Sequence, residues 1–86
     1  MTIQFHRNFE KQYRKLRSNQ QKKVQERLSL FLRNQFDPIL NNHPLRGKYQ
    51  DYRSVNVGGD LRAIYKMVSD MESIFVAVGT HNKLYS

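Results

Sequence analysis

The sequence contains no cysteine, which excludes a disulfide framework and a zinc site with cysteine ligands. It also lacks any apolar run close to the ~20 residues that a membrane-spanning helix requires, and its N-terminus does not resemble a signal peptide. Eighty-six residues suffice for one hydrophobic core. We therefore expect a single domain over residues 1–86, located in the cytoplasm and not associated with a membrane.

Several signatures of phosphate-handling enzymes are missing as well. The sequence has no glycine-rich loop ending in Lys-Ser or Lys-Thr, no His-Glu-x-x-His segment and no carboxylate cluster suited to two-metal hydrolysis. Three histidines and seven scattered acidic residues are a weak basis for a metal site. We expect neither a metal nor another cofactor.

Acidic residues are few: fifteen Lys and Arg outnumber seven Asp and Glu, which gives a net charge of +8. Residues 1–34 hold nine basic and two acidic side chains, whereas residues 35–86 hold six and five. This charge favours a polyanionic partner, which can be RNA, DNA, an acidic protein segment or an anionic membrane surface. A merely solubilising surface would carry the same charge, so charge alone does not identify the partner.

Hydrophobic periodicity predicts a short edge strand at residues 2–6 and then two amphipathic helices. The first helix is expected at about residues 7–16. The second is expected to start with Ser18 as its N-cap and to end near Asn34, ahead of a proline. Its expected buried stripe comprises Val24, Leu28, Phe31 and Leu32.

The second half of the chain predicts strands. Residues 52–57 and 60–68 flank a Gly-Gly pair, which indicates a tight β-hairpin. A two-residue loop would place Val55 opposite Arg62, and a β-bulge would shift that register. Residues 74–78 are all apolar and are expected to form the central strand, followed by a short helical turn. The predicted fold class is α+β: a helical hairpin packed on a small twisted, mostly antiparallel sheet, in the order β-α-α-β-β-β.

Polar and basic side chains lie at the ends of the predicted strands, where a rigid scaffold presents catalytic groups. His43 lies in the loop before the hairpin, and His81 follows the expected central strand. Asp60 ends the hairpin turn, where an Asp also commonly bonds backbone N–H groups. Arg53 and Arg62 lie within strands among apolar neighbours, which favours a bound anion or a pairing carboxylate. If the protein cleaves RNA, these residue types indicate metal-free acid–base catalysis with the 2′-OH as nucleophile.

Four segments together resemble the YafQ branch of the RelE/ParE toxin superfamily. They are His43-Pro44-Leu45, Tyr52-Arg53, the strand from Asp60 to Lys66, and the ending from Gly79 to Tyr85. The resemblance implies a toxin of a type II toxin–antitoxin pair that enters the ribosomal A site of the 70S ribosome and cuts mRNA without a metal. It also implies a cognate antitoxin that neutralises the toxin by wrapping around it.

The resemblance also assigns expected roles to individual residues. His81 matches the residue that protonates the leaving 5′-oxygen, and either His43 or Asp60 is the base. Asn56 and Leu61 stand where YafQ-like toxins carry histidine and tryptophan, and Asn cannot shuttle a proton near neutral pH. The expected catalytic residues are His43, Asp60, His81 and Tyr85. The expected RNA- and phosphate-binding residues are Lys48, Arg53, Asn56, Arg62 and Lys83.

Two other functions are compatible with the same sequence. A ParE-like poison of DNA gyrase would have the same fold without RNA chemistry, although relatives of that kind generally lack the terminal histidine that His81 represents here. A non-catalytic basic module that binds nucleic acid would require only the charge. The ribonuclease hypothesis makes a specific demand on the fold: His43, Asp60, Arg62 and His81 should lie in one concave pocket the size of a ribose-phosphate linkage.

Overall fold

The structure is a computed structural model and describes residues 1–85. Within these residues, five strands form one sheet, and three α-helices and two short 3₁₀ helices, Pro38–Leu40 and Gly47–Tyr49, complete the fold. The strands are β1 (Thr2–Phe5), β2 (His43–Pro44), β3 (Arg53–Gly58), β4 (Leu61–Ser69) and β5 (Glu72–Thr80). The helices are α1 (Arg7–Arg14), α2 (Ser18–Arg33) and α3 (His81–Tyr85). The predicted α+β class with a mostly antiparallel sheet is confirmed.

The strand order across the sheet is β1-β5-β4-β3-β2. β1 is an edge strand, as predicted, and it pairs in parallel with β5; the other pairs are antiparallel. The prediction that residues 74–78 form the central strand is wrong in position, because the middle of the sheet is β4 and β5 lies beside it. Both strands lie in the interior of the sheet, so apolar content alone does not tell which of them is in the middle.

Each face of the sheet has its own apolar cluster. α1 and α2 cover one face, where Phe9, Val24 and Phe31 pack against Tyr65 and Phe75 of the sheet. Successive residues of a strand point to opposite faces, and the other face accordingly carries a smaller cluster. That cluster contains Ile64, Ala77 and Leu84. α3 therefore lies on the face away from the two long helices.

α2 differs from its predicted form in two details. Its N-cap is Arg17, one residue before the expected Ser18, and the Arg17 backbone N–H donates to the Gln20 side-chain oxygen at 3.0 Å. The amide of Gln20 thus supplies the capping acceptor three residues on. Leu32, expected in the buried stripe, is 48% exposed, because it lies on a side of α2 that does not pack against the sheet.

The β3–β4 hairpin contains a bulge between Asn56 and Gly58. Val55 consequently pairs with Ala63, and Asn56 pairs with Arg62, so the predicted pairing of Val55 with Arg62 is wrong by one residue. The bulge adds one residue on the β3 side. It places Arg62 on the face that carries α3. Within residues 1–85, no helix has the length and apolar character needed to cross a membrane.

Candidate active site

A cavity of about 250 Å³ opens on the face of the sheet that carries α3. The loop around β2 forms one wall, and β3, β4 and α3 supply the rest. Its lining residues are His43, Leu45, Arg46, Ser54, Arg62, His81 and Tyr85. The prediction of a shared pocket is thus confirmed for both histidines and for Arg62.

His43 is held by the short strand β2, where it pairs with Ser54 of β3. Its ring Nδ1 lies 2.8 Å from the backbone oxygen of Asn41, a residue whose φ of 46° turns the chain into β2. A carbonyl oxygen only accepts, so Nδ1 carries the proton in this contact. In the neutral ring Nε2 is then the acceptor, which is the form that a general base requires.

Arg62 is anchored through its own hairpin. Its Nη1 donates to the backbone oxygens of Gly59 at 3.1 Å and Leu61 at 3.0 Å. The side chain is partly buried, and no carboxylate lies among the residues that line the cavity. The remaining guanidinium N–H groups are therefore available to an anion in a fixed orientation.

His81 and Tyr85 lie four residues apart on α3, which places them on the same side of that helix. Their ring centroids are 4.7 Å apart. The Tyr85 ring also packs edge-on against Tyr49 at 6.0 Å. Thr80 starts α3, because its Oγ1 accepts from the Lys83 backbone N–H at 3.3 Å. Tyr85 thus positions the imidazole, while His81 itself is exposed.

Two hydroxyl groups at this cavity have unusual surroundings. The Oγ of Ser54 and the hydroxyl oxygen of Tyr85 are both buried, and neither has a hydrogen-bond partner within residues 1–85. Buried polar groups in folded proteins are nearly always hydrogen-bonded. Both hydroxyls belong to residues that line the cavity.

Asp60 does not lie in this cavity. It lines a separate groove between the start of α2 and the hairpin, together with Arg17, Lys23 and Gly59. The expectation that Asp60 shares one pocket with the two histidines is therefore wrong, because Asp60 lies in the hairpin turn, whereas Arg62 lies within β4. The two sites are neighbours, since the Gly59 that borders the Asp60 groove also holds the Arg62 guanidinium through its carbonyl.

The other expected binding residues lie at the margins or have structural contacts. Lys48 lies in a 3₁₀ turn, with Nζ 5.3 Å from the centre of the Tyr49 ring, and Lys83 is exposed on α3. The Nε of Arg53 donates to Asn42 Oδ1 at 2.7 Å, and its guanidinium lies over the Phe36 ring. None of these three lysine and arginine side chains lines the cavity.

Asn56 also has a structural contact, because its Oδ1 accepts from the Gly58 backbone N–H at 2.8 Å. Three cavity residues, Leu45, Arg46 and Ser54, are absent from the site residues expected from the sequence. Arg46 directly follows the segment His43-Pro44-Leu45 that carries the resemblance, and this position was an available signal. For Ser54 the signal was its place two residues before Asn56, on the same face of β3.

The cavity collects positive charge and hydrogen-bond donors. Arg46, Arg62 and two imidazoles surround it, so it suits an anion with several oxygen atoms. Residues 1–85 include no group of three or more His, Asp or Glu side chains arranged to hold a metal ion. The arrangement contains a proton acceptor, a fixed cation and a second imidazole, which are the parts needed for acid–base chemistry on a phosphodiester.

Comparison with protein families gives a match over residues 1–86 to the family described as a bacterial toxin of a type II toxin–antitoxin system, YafQ. The chain is a member of the YafQ toxin family. It is accordingly a toxin of a type II toxin–antitoxin system, as the resemblance implied. No curated protein matches the sequence.

Solved structures of bacterial toxins have the same fold. YafQ from E. coli strain BL21(DE3) superposes with a TM-score of 0.82 at 24% identity, covering 99% of this chain and 98% of that chain. A toxin from Helicobacter pylori, crystallised as a copper-bound mutant, gives 0.77 at 28% identity and covers 99% of both chains. YafQ in the E. coli DinJ-YafQ toxin–antitoxin complex gives 0.78 at 25% identity, covering 99% and 97%.

Proposed function

We propose that this YafQ family toxin is a metal-independent endoribonuclease that cleaves mRNA in the A site of the ribosome. The observation that carries the proposal is the cavity in which His43, Arg62 and His81 meet. RNA supplies its own nucleophile, the 2′-OH next to the scissile phosphate. The protein then needs a base, an acid and a cation, and this cavity contains all three.

We assign the base to His43. Its Nδ1–H is engaged with the Asn41 carbonyl, so Nε2 is free to accept the proton of the ribose 2′-OH. The 2′-oxygen then attacks phosphorus and forms the 2′,3′-cyclic phosphate. Asp60, the other candidate base, lines the adjacent groove and not this cavity.

We assign the acid to His81. As imidazolium it donates a proton to the 5′-oxygen as the bond from phosphorus to that oxygen breaks. The leaving strand then carries a 5′-OH. Contact with Tyr85 fixes the direction of the His81 ring within α3. After the reaction His43 holds the proton that came from the 2′-OH, and His81 has lost one, so the proton count balances.

Charge on the phosphate oxygens grows as the 2′-oxygen attacks. Arg62, held by two backbone carbonyls, is already oriented and does not have to reorganise when that charge develops. Arg46 also lines the cavity and adds a second cation. Lys48 and Lys83, at the margins, are proposed to contact the flanking phosphates.

The proposed partners are the ribosome and a cognate antitoxin. Residues 1–34, which include α1 and α2, hold nine of the fifteen basic side chains, nearly all of them exposed, which suits ribosomal RNA and makes binding strongly dependent on salt. The solved DinJ-YafQ complex supports an antitoxin partner for this family member too. An antitoxin segment with acidic residues would compete for the same basic surface.

The test is primer extension on a defined mRNA in a translating extract, with wild-type protein, His81→Ala and a control. His6→Asn is the matched control, because the His6 ring accepts from the Asn8 backbone N–H at the start of α1 and Asn can fill that N-cap position. We expect discrete cuts with wild type and with His6→Asn. We expect at least a 100-fold loss of cleavage with His81→Ala.

The chemistry of the new ends separates this mechanism from its rivals. Attack by the 2′-OH leaves a 2′,3′-cyclic phosphate and a 5′-OH, so the 3′ fragments accept label from polynucleotide kinase without prior dephosphorylation. Cuts that leave 5′-phosphate ends would contradict the mechanism. Growth arrest with intact mRNA and broken DNA would instead indicate a gyrase poison, and neither effect would indicate a non-catalytic binding module.

A further inference from the structure

Two serines are fully buried in this sheet, and they differ in one respect. Ser73 of β5 is 0% exposed, and its Oγ donates to the backbone oxygen of Thr2 at 3.3 Å. Ser54 of β3 is 1% exposed, and its Oγ has no partner within residues 1–85. A buried hydroxyl that has lost its hydrogen bonds to water and forms none within the protein lowers the stability of the free protein. An unsatisfied buried group of this kind calls for an explanation, and a role at a functional site is one.

The surroundings of Ser54 define the kind of ligand. Ser54 pairs with His43 across β2 and β3, so its hydroxyl lies beside the proposed base. The cavity is also lined by Tyr85, whose buried hydroxyl has no partner within residues 1–85, and by Arg46 and Arg62. These groups offer N–H and O–H donors, and no carboxylate lines the cavity to accept them. The matching ligand is an anion rich in acceptor oxygens.

We propose that Ser54 is a substrate-binding residue whose hydroxyl donates to a non-bridging oxygen of the scissile phosphodiester, with the Tyr85 hydroxyl as a second donor. This inference rests on the proposed function, since it names a contact within the same site. Arg62 neutralises the phosphate, while Ser54 fixes its rotation relative to His43. A neutral hydroxyl in a desolvated position supplies direction without additional charge.

The proposal predicts opposite effects of Ser→Ala at the two buried positions. Ser54→Ala removes an unsatisfied group, so the melting temperature of the free protein should be unchanged or higher. The same variant should bind adenosine 3′,5′-bisphosphate about tenfold more weakly, because one hydrogen bond to a charged acceptor is lost. Ser73→Ala should lower the melting temperature and leave bisphosphate affinity within about twofold of wild type, since Ser73 is remote from the cavity.

The experiment measures two quantities on the full chain: thermal unfolding without ligand, and calorimetric titration with adenosine 3′,5′-bisphosphate. Tyr85→Phe is a second binding variant, because it removes the other unpartnered hydroxyl and keeps the ring. It should likewise weaken binding without lowering the melting temperature. Wild type that does not bind the probe, or Ser54→Ala that binds as tightly as wild type, would overturn the proposal. A melting temperature lowered in Ser54→Ala as much as in Ser73→Ala would also overturn it.

The outcome is separable from that of the proposed function. Cleavage of mRNA by wild type together with unaltered bisphosphate binding by Ser54→Ala would refute only the role of Ser54. Absence of cleavage together with weakened binding by Ser54→Ala would refute the ribonuclease and keep Ser54 as an anion-binding residue.

Discussion

The side chain of Asn56 accepts a hydrogen bond from the backbone N–H of Gly58 at 2.8 Å, across the β-bulge of the hairpin. This bond satisfies a donor that the bulge removes from the regular ladder. The bulge in turn sets Arg62 opposite Asn56, on the face of the candidate active site. One amide oxygen therefore supports both the turn and the placement of the proposed phosphate-binding cation.

The Asn56 contact can be tested by comparing two substitutions. Asn56→Ala removes the acceptor, and we expect the free energy of unfolding to fall by about 1 kcal/mol. Asn56→Asp keeps an oxygen at the same position and should retain most of the stability. Urea denaturation of both variants measures the difference. Equal stabilities of Ala and Asp variants would show that the Gly58 N–H finds another partner, such as water.

The hairpin glycines should respond differently to alanine. Gly58 has a φ of +123°, and a Cβ there would overlap Cγ of Lys23 on α2. Gly59 has a φ of +52° with no atom within 4 Å of its Cβ position. We expect Gly58→Ala to cost about 2–3 kcal/mol, because it adds a clash to an unfavourable backbone conformation. Gly59→Ala should cost about 1 kcal/mol, as for other residues in the left-handed region.

Chemical denaturation of the two glycine variants provides the comparison. The decisive result is which of the two variants loses more free energy of unfolding, and we expect it to be Gly58→Ala. A larger loss for Gly59→Ala would mean that the Lys23 side chain moves aside easily and that α2 does not constrain the hairpin.

Two neighbouring residues of α2 should differ sharply in their contribution to the core. Phe31 is 1% exposed, and the centre of its ring lies 4.9 Å from that of Tyr65 and 5.2 Å from that of Phe75. Phe31→Ala should destabilise the protein by about 3–5 kcal/mol through lost burial and a residual cavity. Leu32→Ala, at a 48% exposed position, should change stability by less than about 0.5 kcal/mol. Thermal unfolding followed by circular dichroism tests both, and a large effect at Leu32 would contradict the described packing.

The two strand arginines should separate function from stability. Arg62→Gln removes the cation from the cavity, and we expect cleavage of mRNA in the extract to fall by about 100-fold. Arg53→Met keeps the apolar stem beside Phe36 but removes the donor to Asn42, so stability should fall by about 1–2 kcal/mol. Primer extension and urea denaturation of both variants provide the readouts. Loss of cleavage in a stably folded Arg53→Met would return Arg53 to the RNA-binding residues.

Local patterns predicted the elements of this fold well. Helical periodicity located α1 and α2, and the Gly-Gly pair located the hairpin. The errors arose where tertiary contacts decide between similar local choices. The one-residue shift in the pairing of β3 with β4 comes from the β-bulge between Asn56 and Gly58. The Gly-Gly loop signal predicts the hairpin but not this bulge. The middle position of β4 depends on β1 pairing with β5, a contact between distant segments.

At the candidate site, too, strand signals predicted some residues, and tertiary contacts decided the positions of the others. The residues that reach the cavity from strand ends, His43 and His81, were predictable because each follows or precedes a clear strand signal. Asp60 was misplaced because one turn of the hairpin directs neighbouring side chains to different grooves. Ser54 was missed because its alternation with Asn56 shows only that the two share a face of β3, and the absence of a hydrogen-bond partner is visible only in the folded protein.

The parallel pairing of β1 with β5 has a consequence for biosynthesis. Thr2 pairs with Glu72 and Phe5 pairs with Phe75, so the first strand finds its partner only after those late residues have been synthesised. His81 and Tyr85 follow still later in the chain. A nascent polypeptide that stops short of β5 therefore has neither a closed sheet nor a complete candidate cavity. The ribosome that makes this toxin is exposed to its proposed activity only after β5 and α3 have emerged from the exit tunnel.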